Sequence, residues 1–256
     1  MNWSSKQYVA FEDERTRPVR DLLNAVPVTD VASAIDLGCG PGNSTEVMAA
    51  RFPTAAICGL DSSADMIEAA QKRLPKCKFI LEPIESWTGA GGCDIILANA
   101  SLHWVPDHAS LLRRLVGFLS DHGSLAIQMP DNLDEPAHRL MRDIAAQQPW
   151  ADKLAKSAGA RTTLASTDWY YGLLRPLCSR VDIWRTTYYH PLAGGADEVV
   201  EWFKGSGLRP FLSPLSAVER DSYLARYRAA IENAYPTLPN GSVLLPFPRL
   251  FIVATR

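Results

Sequence analysis

The first half of the chain alternates short apolar runs with amphipathic stretches, a pattern that few folds can accommodate. Five runs have the length of a β-strand and are bounded by glycine, proline or aspartate: 34–37, 55–60, 78–81, 94–98 and 124–129. Three stretches between them carry apolar residues at helical spacing: 44–51, 63–73 and 109–119. Strands and helices that alternate at this interval predict βαβ units, and therefore a parallel sheet with helices on both faces.

The second half of the chain is predicted to be mostly helical. Helices are expected over 136–177, with breaks at Pro149 and 157–160, and again over 196–206 and 217–233. Two segments rich in β-branched and aromatic residues, 181–189 and 250–254, predict strands that can complete a sheet of seven.

The overall composition is that of a globular protein with a sizeable core. The chain has 256 residues, of which 47% are apolar and 21% are charged. Its net charge of −2 is too balanced for a protein that gains affinity by neutralising nucleic-acid phosphates, so a small uncharged or acidic partner is expected. The sequence shows neither a run of about 20 apolar residues nor the apolar core of a signal peptide, so we expect a cytoplasmic protein.

The cysteines are expected to be reduced core residues. Their number is odd, and none forms a CxxC pair or lies close to a histidine in the sequence. The five are Cys39, Cys58, Cys77, Cys93 and Cys178. Because four of them lie in or beside predicted buried strands, neither a disulfide framework nor a metal site is expected.

Charged and aromatic residues are distributed unevenly about Pro130. Residues 1–129 contain 11 basic and 15 acidic residues, whereas 130–256 contain 15 basic and 13 acidic residues. The basic residues of the second part are 12 arginines and 3 lysines, and seven of the eight tyrosines lie there. Arginine binds carboxylates through a bidentate fork that lysine lacks, so the second part is suited to a small polyacid.

A glycine-rich loop, Asp36-Leu37-Gly38-Cys39-Gly40-Pro41-Gly42, follows the first predicted strand. Glycines allow positive φ and let a ligand lie against the main chain, and amide groups of the next helix can face its polar atoms. Asp61, at the end of the second predicted strand, can accept hydrogen bonds from both hydroxyl groups of a ribose. The two features together predict a nucleoside site, and a turn without a ligand is the alternative.

Two kinds of nucleotide cofactor use a loop of this type. The dinucleotide fingerprint requires GxGxxG, but Asn43 stands where the third glycine belongs. Asp36 would repel a pyrophosphate, whereas a carboxylate suits a ligand that carries an ammonium and a sulfonium. S-adenosylmethionine has both charges, so it is favoured over a dinucleotide.

Residues 36–42 resemble motif I of the class I S-adenosylmethionine-dependent methyltransferases, and residues 61–66 resemble their motif II region. The resemblance implies a Rossmann-like α/β fold with a seven-stranded, mostly parallel sheet and a helical cap formed by insertions in the C-terminal half. It implies S-adenosylmethionine as cofactor and S-adenosylhomocysteine as product. The cofactor-binding residues that it suggests are Asp36, Gly38, Cys39, Gly40, Asp61, Ser62, Met66, Ile84, Asn99 and Tyr8.

Within this set, the resemblance places Asp36 and the glycines at the methionine moiety, Asp61 at the ribose and Met66 at the adenine. Met66 as ordinary helix core is the alternative. Pro83 stands where the family often has an acid near the adenine amine, so the backbone at Ile84, or Glu85, is expected to hold the adenine instead.

The resemblance extends over nearly the whole chain to one group within this family, on blocks that include 99–108, 128–132, 168–171 and 182–192. It implies methyl transfer to a carboxylate of trans-aconitate, which gives a monomethyl ester. A carboxylate with a pKa of about 4 is already ionised at neutral pH and needs no general base, so a sequence without a convincing base dyad is compatible with this acceptor. Another small-molecule acceptor and a non-catalytic cofactor-binding protein are the alternatives.

The substrate-binding residues are expected from both halves of the chain. His103 and Trp104 follow the fourth predicted strand, where these enzymes place residues between cofactor and substrate; His103 is a base or hydrogen-bond donor, or else a packed histidine. The other candidates are Arg161, Tyr170, Tyr171, Tyr188, His190 and Arg209. Surface solvation or packing of the cap is the alternative for each.

The expected organisation is a single methyltransferase domain over residues 1–256. Its segments are an N-terminal helical segment over the cofactor at 1–30, a cofactor-binding core at 31–130, cap insertions at 131–178 and 193–245, and the last two strands at 179–192 and 247–256. The expected partner is a small tricarboxylate, with no nucleic acid and no membrane, and a monomer is favoured.

Overall fold

One seven-stranded sheet organises the computed structural model, which describes residues 12–256 except positions 90, 160 and 162 and except the side chains of 12–15 and 158. The strands are β1 Ser33–Leu37, β2 Ala56–Asp61, β3 Lys78–Leu81, β4 Cys93–Asn99, β5 Leu119–Pro130, β6 Arg180–Leu192 and β7 Val243–Thr255. Their order is β3-β2-β1-β4-β5-β7-β6. The β1–β2, β1–β4, β2–β3 and β4–β5 pairs are all parallel, which confirms the sheet predicted for the first half.

The described helices also follow the predicted pattern. They are α1 Glu12–Asn24, α2 Asn43–Arg51, α3 Ala64–Arg73, α4 His108–Gly117, α5 Pro136–Ala145, α6 Ala151–Ala158, α7 Thr167–Leu174, α8 Gly195–Lys204, α9 Arg209–Leu212 and α10 Ala217–Ala234. A short 3-10 helix spans Leu102–Trp104. No helix within the described ranges has the length and apolar character needed to cross a membrane.

Two strands begin before their predicted starts. β5 begins at Leu119 rather than at 124, and β7 begins at Val243, ahead of the segment 247–256 expected for it, whereas β6 fills the expected segment 179–192. In β7 the buried Val243 and Leu245 alternate with the exposed Leu244, which is the burial pattern of a strand. Gly123 hid the start of β5, and the prolines at 246 and 248 hid the start of β7, because glycine is typical of turns and a proline supplies no N–H to a strand ladder.

The chain forms two compact units. The first contains the described residues to Pro130 together with Leu164–Thr186 and Leu250–Arg256, and the second contains Asp131–Thr163 and Thr187–Arg249. The predicted insertion 131–178 is therefore divided at Leu164. The physical reason is that Tyr170 and Leu174 of α7 are fully buried in the apolar cluster of the first unit.

The core of the first unit holds the carboxyl ends of the central strands in place. Leu37 of β1, Ile96 of β4 and Ile127 of β5 are fully or almost fully buried, and Leu111 and Leu115 of α4 pack in the same cluster. Burying a side chain of this size contributes about 1.5–3 kcal/mol, so the loops that leave these strands start from fixed points.

The core of the second unit is built around buried tyrosines. Tyr223 and Tyr227 of α10 donate hydrogen bonds to the carbonyl oxygens of Met141 (2.7 Å) and Ala137 (3.1 Å). The hydroxyl of Tyr235 accepts from the Ala137 N–H at 3.0 Å. These bonds satisfy the buried phenols and fix α5 against α10, both of which belong to the second unit.

Candidate functional site

The predicted cofactor residues meet at one edge of the sheet in the first unit. β1 lies between β2 and β4, and the carboxyl ends of these three strands carry the glycine loop, Asp61 and Asn99 respectively. Ligands of open α/β sheets bind outside the carboxyl ends of the strands, so this edge is the candidate site.

The glycine loop is tied to the end of β2. Gly38, Gly40 and Gly42 have φ of 73°, 55° and 92°, in the left-handed region that glycine enters without strain. The N–H groups of Gly38 and Cys39 donate to the Leu60 carbonyl oxygen at 2.7 and 2.9 Å, and the Gly40 N–H donates to Asp61 Oδ2 at 3.0 Å. The loop is therefore held in position without a ligand.

Asp36 is a buried carboxylate with one satisfied oxygen. Its Oδ2 accepts hydrogen bonds from the hydroxyls of Ser44 and Thr45, both at 2.7 Å, whereas its Oδ1 has no partner among the described residues. Burial raises the pKa of Asp36 from 3.8 to about 6, against the two hydroxyl bonds that lower it. A cation placed at Oδ1 would stabilise the charged form, so the ammonium and sulfonium of S-adenosylmethionine fit this carboxylate.

Asn43 adds buried polar atoms directly after the glycine loop. It is the first residue of α2, it is 9% exposed, and neither atom of its side-chain amide has a partner within the described ranges. Buried polar groups are normally hydrogen-bonded, and an orphaned pair at the start of a helix beside a glycine loop is consistent with a polar ligand there.

Asp61 is oriented by the backbone. Its Oδ1 accepts from the Ser63 N–H at 2.9 Å and its Oδ2 accepts from the Gly40 N–H. Burial raises its pKa, and these backbone N–H groups oppose that rise. Each carboxylate oxygen keeps a second lone pair, so both can still accept from the two hydroxyls of a ribose.

The segment after β4 closes the other side of the loop. Ser101 donates its hydroxyl to the Leu37 carbonyl oxygen at 2.7 Å, and Ala100 has a positive φ of 52°. The Oδ1 of Asn99 is buried without a partner in the described part of the chain. His103 is 7% exposed, and its ring centroid lies 4.8 Å from that of Trp104.

The segment after β3 contains Ile84 and Glu85, which are predicted to hold the adenine. Arg114 of α4 donates to the carbonyl oxygens of Ile84 (2.9 Å) and Glu85 (2.6 Å), which fixes the backbone there. The Cδ1 of Ile84 lies 3.5 Å from the position that a Cβ on Gly38 would occupy. Met66 is 3% exposed on α3, a position that fits helix core as well as an adenine contact.

The remaining predicted cofactor residues differ in their exposure. Cys39 is buried, and desolvation raises the pKa of its thiol, so it packs as an unreactive residue. Ser62 is exposed next to Asp61. Tyr8 lies outside the described residues.

The two predicted substrate tyrosines of the first unit occupy different environments. The Tyr170 hydroxyl is hydrogen-bonded to His108 Nδ1 at 2.7 Å, and its side chain is fully buried, so it has a packing role. Tyr171 is 48% exposed.

The four predicted substrate residues of the second unit comprise two buried side chains and two half-buried arginines. Tyr188 and His190 are each 4% exposed; the His190 ring stacks on Trp202 with centroids 4.6 Å apart. Arg209 begins α9 and is half-buried. Arg161 is half-buried beside the charge of Arg142, in a pocket of the second unit.

Sequence reasoning missed the side chains that support the site. Ser44 and Thr45 hold Asp36, Ser101 holds the glycine loop, and Arg114 holds the segment after β3. The Ser44-Thr45 pair at the start of a helix was a usable signal, because two hydroxyls there face the strand that precedes the loop.

Comparison with known proteins decides the family. A family profile described as "Methyltransferase domain" matches residues 34–123. Trans-aconitate 2-methyltransferase of Rhodopseudomonas palustris is 52% identical over 255 residues, which cover 100% of this chain and 99% of that protein. The protein of the same name from Variovorax paradoxus is 49% identical over 257 residues, with 100% and 99% coverage. The chain belongs to the trans-aconitate 2-methyltransferase family.

Solved structures confirm the fold of this family at low sequence identity. The YcgJ protein from Bacillus subtilis has a TM-score of 0.61 at 12% identity, covering 94% of this chain and 98% of that chain. Phosphoethanolamine N-methyltransferase 2 of Haemonchus contortus, in complex with phosphomonomethylethanolamine and S-adenosylhomocysteine, has a TM-score of 0.56 at 14% identity and covers 93% and 52%. The predicted Rossmann-like class I methyltransferase fold is confirmed.

Proposed function

We propose that this protein transfers a methyl group from S-adenosylmethionine to a carboxylate of trans-aconitate, giving the monomethyl ester and S-adenosylhomocysteine. The observation that carries the proposal is the roughly 50% identity over the full chain to proteins named for this reaction. The buried Asp36, the glycine loop and Asp61 supply the cofactor site that the reaction needs.

The main contribution that this reaction requires from the protein is to position the methyl donor and the acceptor. The bound cofactor supplies an electrophilic methyl group on a sulfonium. A carboxylate oxygen could take this methyl group directly, with the S–CH3 bonding electrons left on sulfur and no proton to be moved. Asp36 and Asp61 would hold the methionine moiety and the ribose of the cofactor, and Asn99, His103 and Trp104 would line the edge from which the acceptor approaches. Alignment of donor and acceptor therefore supplies much of the acceleration.

His103 is assigned to binding or orientation of the acceptor. Because an ionised carboxylate needs no base, replacing His103 by Gln is compatible with substantial turnover, whereas an acceptor with a proton to lose would require a base. This difference separates a carboxylate acceptor from a catechol or amine acceptor.

The proposal is tested with labelled S-adenosylmethionine and a panel of small acids, amines and phenols. Trans-aconitate is expected to be methylated with the highest kcat/KM, and the product is expected to be base-labile, as an ester is. If the cofactor binds but trans-aconitate gives no labelled ester, the assignment fails; turnover of another compound would then indicate a different acceptor, and no turnover at all a non-catalytic cofactor-binding protein.

Arg114 offers a test of the segment of Ile84 and Glu85, which is expected to hold the adenine. Arg114→Met removes the two hydrogen bonds to the Ile84 and Glu85 carbonyls and is expected to weaken S-adenosylhomocysteine binding by about 10-fold, measured by calorimetry. Arg113→Met is the matched control, since Arg113 is exposed on the same helix. Equal affinities of the two variants would contradict a role of this segment in binding.

We also place the protein in the cytoplasm, acting as a monomer on a small tricarboxylate and not on nucleic acid. Its five free cysteines support a reducing compartment, and its net charge of −2 does not favour a polyanion. Size-exclusion chromatography with light scattering tests the monomer.

A further inference from the structure

A pocket of the second unit is lined by basic and polar side chains that the cofactor site does not use. It has a volume of about 300 Å3 including its open mouth, and its lining includes His138, Arg142, Arg161 and Phe211. These residues come from α5, from the segment after α6 and from α9, all within the second unit. A ligand held by them needs no side chain of the first unit.

The two arginines of the pocket repel each other in a partly buried place. Burial and the charge of Arg142 lower the pKa of Arg161 to about 10, whereas the charge of Asp131 raises it. Arg142 donates to the Leu133 carbonyl oxygen at 2.8 Å, and Arg161 donates to Asn132 Oδ1 at 3.5 Å, so both of these acceptors are neutral. An anion that contacts both guanidinium groups would offset their repulsion, and a guanidinium has enough N–H donors to bind it as well.

Two buried side chains beside the arginines have a polar atom without a hydrogen-bond partner among the described residues. They are His138, 5% exposed, at Nε2, and Asn132, 1% exposed, at Nδ2. The ring of His138 is fixed by an edge contact with Phe203, with centroids 4.9 Å apart, and by Gly207, where a Cβ would lie 2.8 Å from His138 Cε1. Burial and the charges of the two arginines lower the pKa of His138 to about 3, so the ring is neutral. Buried polar atoms are normally hydrogen-bonded, so these atoms indicate a polar ligand.

The chemistry of the pocket matches a small organic carboxylate. A guanidinium fork pairs with both oxygens of a carboxylate, and a neutral imidazole that carries its proton on Nε2 supplies a further donor. Ser157 does not compete for the ligand, because its hydroxyl donates to the Pro210 carbonyl oxygen at 2.7 Å. Phe211 and Pro210 give the pocket an apolar wall against which a short carbon chain can lie, which favours an organic acid over an inorganic anion.

We propose that this pocket is a binding site of the second unit for a small organic carboxylate, which pairs with Arg142 and Arg161 and accepts a hydrogen bond from His138. The site uses residues of the second unit alone and does not depend on methyl transfer. Because the ligand joins α5 to the segment after α6, its binding stabilises the second unit in proportion to its occupancy.

Calorimetry and thermal unfolding with propanoate and with succinate test for this site in the whole protein. At least one of the two acids is expected to bind with a Kd below about 1 mM, and to raise the melting temperature by about 3–6 °C at about ten times that Kd. Sodium chloride at the same ionic strength is the reference and is expected to give no such rise. If neither acid binds, or if chloride gives the same rise, the carboxylate site is wrong.

Arginine variants assign the binding to the pocket. Arg142→Met and Arg161→Met are each expected to weaken binding of the acid by at least about 10-fold. Arg139→Met is the matched control, because Arg139 is exposed on the same helix as Arg142, and its Kd is expected to stay at the parent value. Arg142→Lys keeps the charge without the fork, retains the charge if Arg142→Met fails to fold, and is expected to have an intermediate Kd. Equal affinities of the Arg139 and Arg142 variants would overturn the proposal.

The histidine rings show where the acid binds. The chain has five histidines, so the ring-nitrogen NMR signals of His138 and His103 can be assigned with His138→Gln and His103→Gln. Titration with the acid is expected to shift the signal of His138 Nε2. A shift at His103 alone would place the acid at the cofactor edge, and binding that shifts neither signal would place it elsewhere; both results overturn the proposal. Because no cofactor is added, the outcome does not depend on whether the protein methylates trans-aconitate.

Discussion

Replacing Asp36 by Asn is expected to raise the melting temperature by about 2–6 °C and to weaken binding of S-adenosylmethionine by at least about 30-fold. Both effects come from one carboxylate. Asp36 is 0% exposed, and its Oδ1 has no partner among the described residues, so its charge is uncompensated until a cation binds. Asn removes that charge, and its carbonyl oxygen still accepts the hydroxyl bonds of Ser44 and Thr45.

The gain in stability depends on pH in a definite direction. The pKa of Asp36 is about 6 in the folded protein, above its ordinary 3.8, so ionisation destabilises the fold. This penalty is complete above pH 6, declines as the pH falls, and is absent below about pH 4, where folded and unfolded chains are both protonated. The pKa shift of Asp36 corresponds to a penalty of about 3 kcal/mol for ionisation in the folded protein. The amide NH2 group that replaces Oδ1 in Asp36→Asn costs part of this, so the expected net gain in the free energy of unfolding is about 1–2 kcal/mol.

Thermal unfolding of parent and Asp36→Asn at pH 8 and pH 4.5, with calorimetric titration of S-adenosylmethionine at pH 8, measures both effects. Ser44→Ala is the comparison variant, because it removes a hydroxyl bond from the carboxylate and leaves the charge. It is expected to lower stability at pH 8, whereas Asp36→Asn raises it. An Asp36→Asn protein that is less stable than the parent at pH 8, or that binds the cofactor normally, contradicts this account of the site.

Local periodicity predicted the first half of the fold well. The helix predicted over 63–73 differs from α3 by one residue at one end, and the strand predicted over 94–98 differs from β4 by one residue at each end, because each repeats a simple pattern over several residues. The ends of β5 and β7 were missed, since Gly123 and the prolines at 246 and 248 resemble turn residues and only pairing with neighbouring strands keeps them in the sheet.

The cofactor site was predictable for a similar reason. Asp36 and the glycines lie close together in the segment 36–42, and Asp61 ends the next strand, so βαβ geometry alone brings them together. The contacts that support them are not local: Ser101 reaches back to Leu37 over 64 residues, and Arg114 reaches Ile84 over 30.

A pocket of the second unit that is lined by His138, Arg142 and Arg161 was only partly predictable. His138 and Arg142 are four residues apart and share a face of α5, a spacing that the sequence displayed. Their closeness to Arg161 depends on how α5, α6 and α9 pack in the second unit, which periodicity does not determine. Tyr170 was predicted to bind substrate, because it lies in an aromatic-rich helix. Nothing in the sequence indicated that its hydroxyl would be hydrogen-bonded to His108 in the core.

Replacing Gly38 by Ala is expected to destabilise the first unit by about 2–5 kcal/mol and to abolish detectable cofactor binding. The glycine has φ of 73°, and a Cβ there would lie 2.4 Å from Ser101 Cβ and 3.1 Å from Ser101 Oγ. Real Cβ atoms do not approach this closely, so the glycine loop must move away from the end of β4. That movement would displace Gly40 and break its hydrogen bond to Asp61, the carboxylate that is proposed to bind the ribose.

Gly40→Ala measures the cost of the positive φ without the steric overlap that is expected in Gly38→Ala. Gly40 also has a positive φ, of 55°, but a Cβ there would meet no atom within 4 Å. Its replacement is expected to cost only about 1 kcal/mol, measured by denaturant unfolding under the same conditions. Two variants of equal stability would mean that φ alone governs this loop.

Ser101→Gly completes a double-mutant cycle with Gly38→Ala. By itself it loses the hydroxyl bond to the Leu37 carbonyl and is expected to be destabilised by about 1 kcal/mol. In Gly38→Ala/Ser101→Gly the obstructing Cβ is gone, so the pair is expected to be more stable than the sum of the single effects predicts, by at least about 1 kcal/mol. Additive effects would show that the end of β4 does not limit the loop, and the loss of cofactor binding in Gly38→Ala would then need another cause.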